Sequence, residues 1–426
     1  MNLVWNLILL LGAPVLLPWL WHRRRVGKED AARWGERWGR WPAVEREGSP
    51  RIWVHAVSVG ETMAAAALLR GLRARWPDAV LILTTITPTG QQVAAARPEA
   101  DAVRYFPLDY PGSVARALDV ARPDLVLLME GEIWPNFLTT ARRRGARVAV
   151  VNGRLSDRKF PAWKRIAPVI RGGLHAVDRF AMQSDEDAAR IRALGVDPDR
   201  IQVTGNTKFD EIARPLAPAE RDSLRASFGI PSGAPVLVCG STREAGGDGP
   251  DEEFLVARAV ANVRAVHPEL RVVVAPRHLE RAGIVADAFP GAGRRSQGEH
   301  ARPDCILDTF GELASVYSIA DIAYVGGSLV PWGGQSVFQP LAQGVPAVFG
   351  PHMNNQRDIA ALAVAAGVGT EVPDPDALAA EILRVLALDT DERENLARRC
   401  RDLIDRNQGA ATRCVALAEE LLGSRA

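Results

Sequence analysis

Short apolar runs recur along most of this 426-residue chain, each separated from the next by a stretch of helical periodicity. A first series occupies residues 52–55, 80–84, 125–129, 148–152, 180–183 and 201–204. A second occupies 236–239, 271–275, 305–307, 322–325 and 347–349. Runs this short and continuously apolar are strands buried on both faces, and their alternation with helices requires parallel, doubly wound sheets. Between the series lies Arg214-Pro-Leu-Ala-Pro218, a proline-rich stretch without a strand signal and the best linker candidate. The predicted division is therefore an N-terminal segment 1–45, an α/β domain 46–214 and a second α/β domain 215–426. Ligands of such sheets bind outside the carboxyl ends of the strands. No G-x-G-x-x-G follows the first strand, so dinucleotide oxidation–reduction has little support.

Composition narrows the class. With 52 basic and 51 acidic residues the formal charge is +1, so no global field calls for a nucleic-acid partner. Cys239, Cys305, Cys400 and Cys414 have no C-x-x-C spacing, and the seven histidines form no H-E-x-x-H, so a metal site is not expected. Residues 3–21 contain one strongly polar side chain, Asn6, and run into His22-Arg-Arg-Arg25. At ~1.5 Å per residue the run is roughly 28 Å long, close to a hydrocarbon core. Charges after the run rather than before it argue against a cleaved leader. The expectation is an N-terminal membrane helix, single-pass or monotopic, with the rest of the chain on the cytoplasmic side. Trp34, Trp38 and Trp41, interleaved with Arg33, Arg37 and Arg40, suit either a headgroup surface or packing on the body.

Unusual residues cluster where strands end. Val57-Ser-Val-Gly-Glu61 places Glu61 in a helix's first turn, where the dipole favours its ionised form. There it can serve as a general base for a hydroxyl, or simply complement the dipole. Met129-Glu-Gly-Glu-Ile-Trp-Pro-Asn136 puts Glu130 and Glu132 at a strand's carboxyl end. Thr204-Gly-Asn-Thr-Lys-Phe-Asp210 brings Lys208 to another. In the second half, Pro276-Arg277-His278 offers an arginine that can clamp a phosphate or pair with Glu280. Thr309-Phe-Gly-Glu312 has the capping-box spacing. Gly326-Gly-Ser328 and Gly333-Gly-Gln335 allow close backbone approach to a phosphate or base.

Taken together, these strings resemble the bacterial 3-deoxy-D-manno-octulosonic acid (Kdo) transferases. The resemblance rests on His55-Ala-Val-Ser-Val-Gly-Glu61, Thr84-Thr-Ile-Thr-Pro-Thr-Gly90, 129–136, Asn152-Gly-Arg-Leu-Ser156, 204–210, 276–278 and Val325-Gly-Gly-Ser-Leu329, in order and in register. It implies two Rossmann-like domains facing a cleft (the GT-B type) and transfer of Kdo from CMP-Kdo to the lipid A precursor of lipopolysaccharide. That reaction is inverting and metal-independent, at the inner membrane. By position, Glu61 matches the family's general base, and Glu130 and Lys208 match residues assigned to transition-state stabilisation. Pro276, Arg277, Gly311, Glu312 and Leu313 match CMP-binding segments, as do Ser336, Val337, Phe338 and Gln339.

Two departures bear on the donor. The family's G-G-H-N-x-L-E is here Gly333-Gly-Gln-Ser-Val-Phe-Gln339, so an amide replaces a carboxylate assigned to the ribose. The family's S-T-H-E-G-E-E is here Ser241-Thr-Arg-Glu-Ala-Gly-Gly-Asp-Gly249, with Arg243 for His and an insertion. Two alternatives follow: a diverged glycosyltransferase with another nucleotide sugar, or a membrane-anchored binding protein of weak activity.

Overall fold

The computed structural model describes residues 2–25, 30–157, 159–211, 215–299 and 302–424. Its contacts divide the chain into Met1–Glu211 with Asn407–Ala426, and Ile212–Arg406.

The first unit is a seven-stranded sheet, β1 (Arg51–His55), β2 (Val80–Thr85), β3 (Ala102–Tyr105), β4 (Leu125–Met129), β5 (Arg147–Gly153), β6 (Arg179–Met182) and β7 (Ile201–Val203). The strand order is β3-β2-β1-β4-β5-β6-β7, and every pairing is parallel. The two faces bury separate cores, one around Trp53, Ile82, Leu128 and Phe137, the other around Ile52, Leu81, Leu127 and Val151. The alanine run in the helix Val59–Arg75 lets it sit close beneath the second core. The last helix, Ala410–Gly423, adds Cys414, Leu417 and Leu421 to that core, and a Cβ on Gly71 would stand 2.9 Å from Val415. Residues 407–426, expected in the second domain, therefore belong to the first, because their apolar stripe completes its core.

The second unit has β8 (Val236–Thr242), β9 (Arg271–Pro276), β10 (Gly293–Arg294), β11 (Asp304–Ile306), β12 (Ile322–Val325), β13 (Ala347–Phe349) and β14 (Gly369–Glu371). Their order is β10-β11-β9-β8-β12-β13-β14, again all parallel. The linker candidate is partly legible: Arg214 lies outside the described residues, and the helix Pro218–Ser227 starts at its last proline.

The N-terminal segment corrects an expectation. Residues 3–21 do form a helix, Leu3–Arg25, but among the described residues no helix is long and apolar enough to cross a membrane. The helix is held on the first unit. Its near face is docked on the first unit by polar bonds: Trp5 Nε1 donates to Asp109, and Asn2 and Asn6 bond the Asn136 side chain. The far face, Leu3, Leu7, Leu11 and Val15, is exposed, Val15 by 76%. The tryptophan stripe belongs to the body. Trp34–Trp38 is a 3-10 turn, and Trp41 packs at 4.7 Å on Trp53. The buried Glu36 of that turn pairs with Arg33 and accepts the Tyr105 amide. Lys28, where that element was expected to begin, lies outside the described residues.

Candidate active site

In the first unit the candidate residues lie past the carboxyl ends of β1, β4 and β7, the last of these at the sheet edge. Beyond β1, Ser58 caps the helix Val59–Arg75, its hydroxyl accepting the Glu61 amide. The Glu61 side chain turns back in a capping-box manner: Oε2 accepts the Val57 amide at 2.8 Å and Oε1 the Ser58 hydroxyl at 3.2 Å. Burial pushes its carboxyl up to about 7; the charge of Glu130 adds to this, the Val57 amide opposes it, and Glu132 adds a little more. The sequence argument from the helix dipole alone pointed the other way. Burial and two neighbouring carboxylates outweigh it, and neither is visible in a local motif.

β4 runs directly into Glu130, whose φ of +61° is unusual for a side chain with a Cβ. The strained turn is held by the Glu130 amide to Val151 O at 3.1 Å and the Arg154 amide to Glu130 O at 2.7 Å. Lys208 Nζ lies 3.7 Å from Glu130 Oε1, and both side chains keep roughly a third of their surface in solvent. An ion pair this loose and wet contributes little to stability, which leaves both charges able to meet a ligand. Lys208 is delivered there by a relay. Asn152 Oδ1, at the end of β5 with φ +53°, accepts the Thr207 amide at 3.0 Å. Gln183 accepts from Asn206, whose Oδ1 accepts the Lys208 amide at 3.0 Å. Glu61, Glu130 and Lys208 are thus brought together. Glu132, noticed in the motif but given no role, joins them: burial raises its pKa, Lys159 opposes that, and Glu130 adds to it. His55, at the start of the string that leads to Glu61, is a core residue. Burial lowers its pKa to about 3, Nδ1 bonds Thr84, and the ring stacks at 3.9 Å on Phe106.

In the second unit the candidates occupy adjacent strand ends, β11-β9-β8-β12. Arg277, just past β9, is exposed, forms no ion pair with Glu280 among the described residues, and anchors its amide on Thr242 O at 2.9 Å. Pro276 is buried as the last residue of β9. The capping box predicted at Thr309–Glu312 does not form. Glu312 makes no side-chain cap bond and its Oε2 accepts Arg295 Nε at 3.0 Å instead, while Gly311 turns with φ +86° ahead of Leu313. Val337 and Phe338 are buried, so only their backbone can reach a ligand; Ser336 and Gln339 are half-buried.

Glu252 was missed by the sequence reading. Fully buried, it accepts Tyr324 Oη at 2.5 Å, the amides of Gly327, Ser328 and Leu329 at 2.6, 3.0 and 3.0 Å, and the Arg243 amide at 3.0 Å. The amides of the glycine turn, expected to face a phosphate, are therefore taken by this carboxylate. Beside it, Glu253 accepts Thr242 Oγ1 at 3.0 Å and Arg281 at 2.8 Å. The signal was the adjacent acidic pair Glu252-Glu253 just after the insertion. Arg243 itself lies 3.9 Å over the Trp332 ring and pairs with Glu244 at 2.7 Å.

The same fold occurs in a solved glycosyltransferase from Rickettsia africae, with TM-score 0.56 and 13% identity over 88% of this chain and 99% of that one. Two parallel-sheet α/β domains of this kind are like those of GT-B glycosyltransferases, and the first unit carries carboxylates and a lysine at one set of strand ends. Residues 32–211 match the family model described as 3-deoxy-D-manno-octulosonic-acid transferase (kdotransferase). The chain is 34% identical to the 3-deoxy-D-manno-octulosonic acid transferase of Bordetella pertussis, covering 96% of this chain and 97% of that protein. It is 30% identical to that of Haemophilus influenzae, covering 97% of each. The chain belongs to the 3-deoxy-D-manno-octulosonic acid transferase family.

Proposed function

We propose that this protein transfers Kdo from CMP-Kdo to a hydroxyl of the lipid A precursor in lipopolysaccharide synthesis, with inversion and without a metal ion. The observation that carries this reading is the Glu61 carboxylate. It is held by the Val57 amide beside Glu130 and is basic enough, at about 7, to take a proton near neutrality. A general base works best when its pKa lies near the working pH. In this scheme Glu61 takes the acceptor proton as the oxygen attacks the anomeric carbon from the face opposite CMP. The transition state is oxocarbenium-like, as in glycoside hydrolysis, and the Glu130 carboxylate offsets its charge. Lys208, 3.7 Å from Glu130, balances that carboxylate and offers a cation to anionic oxygens. CMP departs as a phosphate monoester, a competent leaving group, so positive charge at Arg277 can stand in for a general acid or a metal.

The docked N-terminal helix fits a monotopic attachment to the inner membrane. Its apolar stripe, Leu3, Leu7, Leu11 and Val15, points away from the protein and would bring the strand ends to a lipid acceptor.

The test is mass spectrometry of a tetra-acylated lipid A precursor incubated with the protein, EDTA and CMP-Kdo generated in situ. One or more Kdo increments, absent with Glu61→Ala, are expected. No increment with folded protein and confirmed donor would overturn the reading.

A further inference from the structure

The motif that supplies Glu130 ends in Trp134-Pro-Asn136, residues with no part in the chemistry above. The helix Pro135–Arg143 starts there, and its N-cap Trp134 makes no side-chain cap bond. The first amides of a helix need outside acceptors. Here a distant residue, Asp109, provides them: Oδ2 accepts the Asn136 amide at 3.0 Å and Oδ1 the Phe137 amide at 2.8 Å. The same buried carboxylate accepts Trp5 Nε1 of the N-terminal helix at 2.7 Å. Around it, Asn136 Nδ2 donates to Asp109 O at 2.7 Å and to Asn6 Oδ1 at 2.6 Å. Asn2 Nδ2 donates to Asn136 Oδ1 at 3.2 Å and Thr139 Oγ1 at 2.9 Å, and Tyr110 Oη to Leu9 O at 3.3 Å.

The acid turn is thus fixed at both ends. β4 and Val151 hold Glu130, and Asp109 holds the helix that follows Trp134. There is no slack along its flank, since a Cβ on Gly173 would stand 2.7 Å from Ile133 Cγ2 and 3.3 Å from Pro135 Cα. A buried carboxylate that loses one of three donors must find another or move.

We propose that Asp109 is a positioning residue that sets the turn carrying Glu130 and Glu132 only while Trp5 is seated on it, so that docking of the N-terminal helix and the geometry of the acid turn are a single arrangement. The proposal rests on the reading of Glu130 as part of the reacting site. Detachment of the N-terminal helix would leave Asp109 one donor short and loosen the start of the helix Pro135–Arg143, moving Glu130 away from Glu61.

The experiment uses the full chain with Trp5→Phe, which keeps an aromatic ring smaller than the indole and removes the N–H donor, and Asp109→Asn as a stronger variant. Backbone hydrogen exchange and steady-state transfer are measured on both. Trp5→Phe should quicken exchange across residues 130–137 about 5–10-fold, leave 51–55 and the second unit unchanged, and lower kcat about 3–10-fold with the donor KM unaltered. Unchanged exchange at 130–137 in both variants would overturn the proposal, as would quickening spread through the whole first unit. Local quickening with an unaltered kcat would overturn the positioning role. If the unsubstituted protein makes no Kdo product but Trp5→Phe still loosens 130–137, the link between the helices stands and the reading of the site falls.

Discussion

The two α/β units share a strand order at their centre, and each holds a carboxylate whose pKa burial raises, but they surround it differently. In the first, Glu61 accepts from one backbone amide and one hydroxyl and is pushed up to about 7 by burial and by Glu130 and Glu132. In the second, Glu252 receives five donors from the ends of β8 and β12. A carboxylate with few donors beside like charges is poised to exchange a proton. One surrounded by donors is a structural anchor, and Arg277, just past the adjacent strand β9, is left exposed. Under the proposed function, the same fold would yield a proton-transferring strand edge in one unit and an anion-holding edge in the other.

The sharpest way to break that contrast is Glu61→Gln. Loss of a general base lowers rate by about 10²–10⁴, so kcat for Kdo transfer should fall by that factor with circular dichroism unchanged. The unsubstituted enzyme should lose kcat/KM as pH falls through about 7, because the base must be ionised. Stability runs the other way. With its folded pKa raised, Glu61 costs nothing below about pH 4.5, where it is neutral folded or unfolded, and costs most above 7. Glu61→Gln should therefore be more stable than the parent by about 1–3 kcal/mol at pH 8, and equal to it below pH 4.5, in denaturant titrations. A variant that is both inactive and destabilised at pH 8 would reduce Glu61 to a helix cap.

The next largest effect is expected in the second unit. Glu252→Ala leaves three turn amides, the Arg243 amide and Tyr324 Oη without their acceptor. Stranding buried donors of this kind costs about 3–5 kcal/mol, read as a lowered melting temperature. A loss under 1 kcal/mol would mean that water or a ligand serves those donors equally well, restoring the phosphate role expected of the glycine turn.

How far these roles could be read in advance follows one rule. Strands buried on both sides of the sheet announce themselves: β4, β12 and β13 match the apolar runs residue for residue. The three strands not foreseen, β3, β10 and β14, all lie at sheet edges, where only one neighbour is needed, and in β3 the two middle residues are only half-buried. At the site, Glu61, Glu130 and Lys208 could be picked out because acids and a lysine at strand ends are poor packing choices. Glu252 was harder to pick out, because four of its five donors come from residues 72 to 77 positions away. The capping box at Thr309 failed for the same reason: Arg295, across the fold, outcompetes the local amide for Glu312.

Arg277→Ala tests the anion-holding edge without disturbing the fold. The side chain is exposed and forms no ion pair among the described residues, so stability should move by no more than about 0.5 kcal/mol. A charge-assisted bond to a phosphate is worth roughly 1.5–3 kcal/mol, so the donor KM should rise about 10–150-fold with the acceptor KM unchanged. An unchanged donor KM would place the phosphate elsewhere and remove the functional half of the contrast between the units.

The smallest expected effect is the most informative about the departure at position 339. Gln339 is half-buried in the short helix Phe338–Ala342, and an amide there accepts one neutral hydrogen bond where a carboxylate would offer two charged acceptors. If a ribose hydroxyl donates to this side chain, Gln339→Glu should strengthen that bond by about 0.5–1.5 kcal/mol. That is a fall of roughly 2–10-fold in the donor KM, with kcat unchanged because the bond exists equally in ground and transition states. Competition by CMP, UDP and GDP gives the second reading. A gain for CMP alone ties the position to this donor, and an equal gain for all three ties it to the ribose they share. A loss of affinity would mean that the amide N–H₂, which only Gln supplies, is the group in use, and that the second unit has been rebuilt for a different donor while the proton-transferring edge of the first was kept.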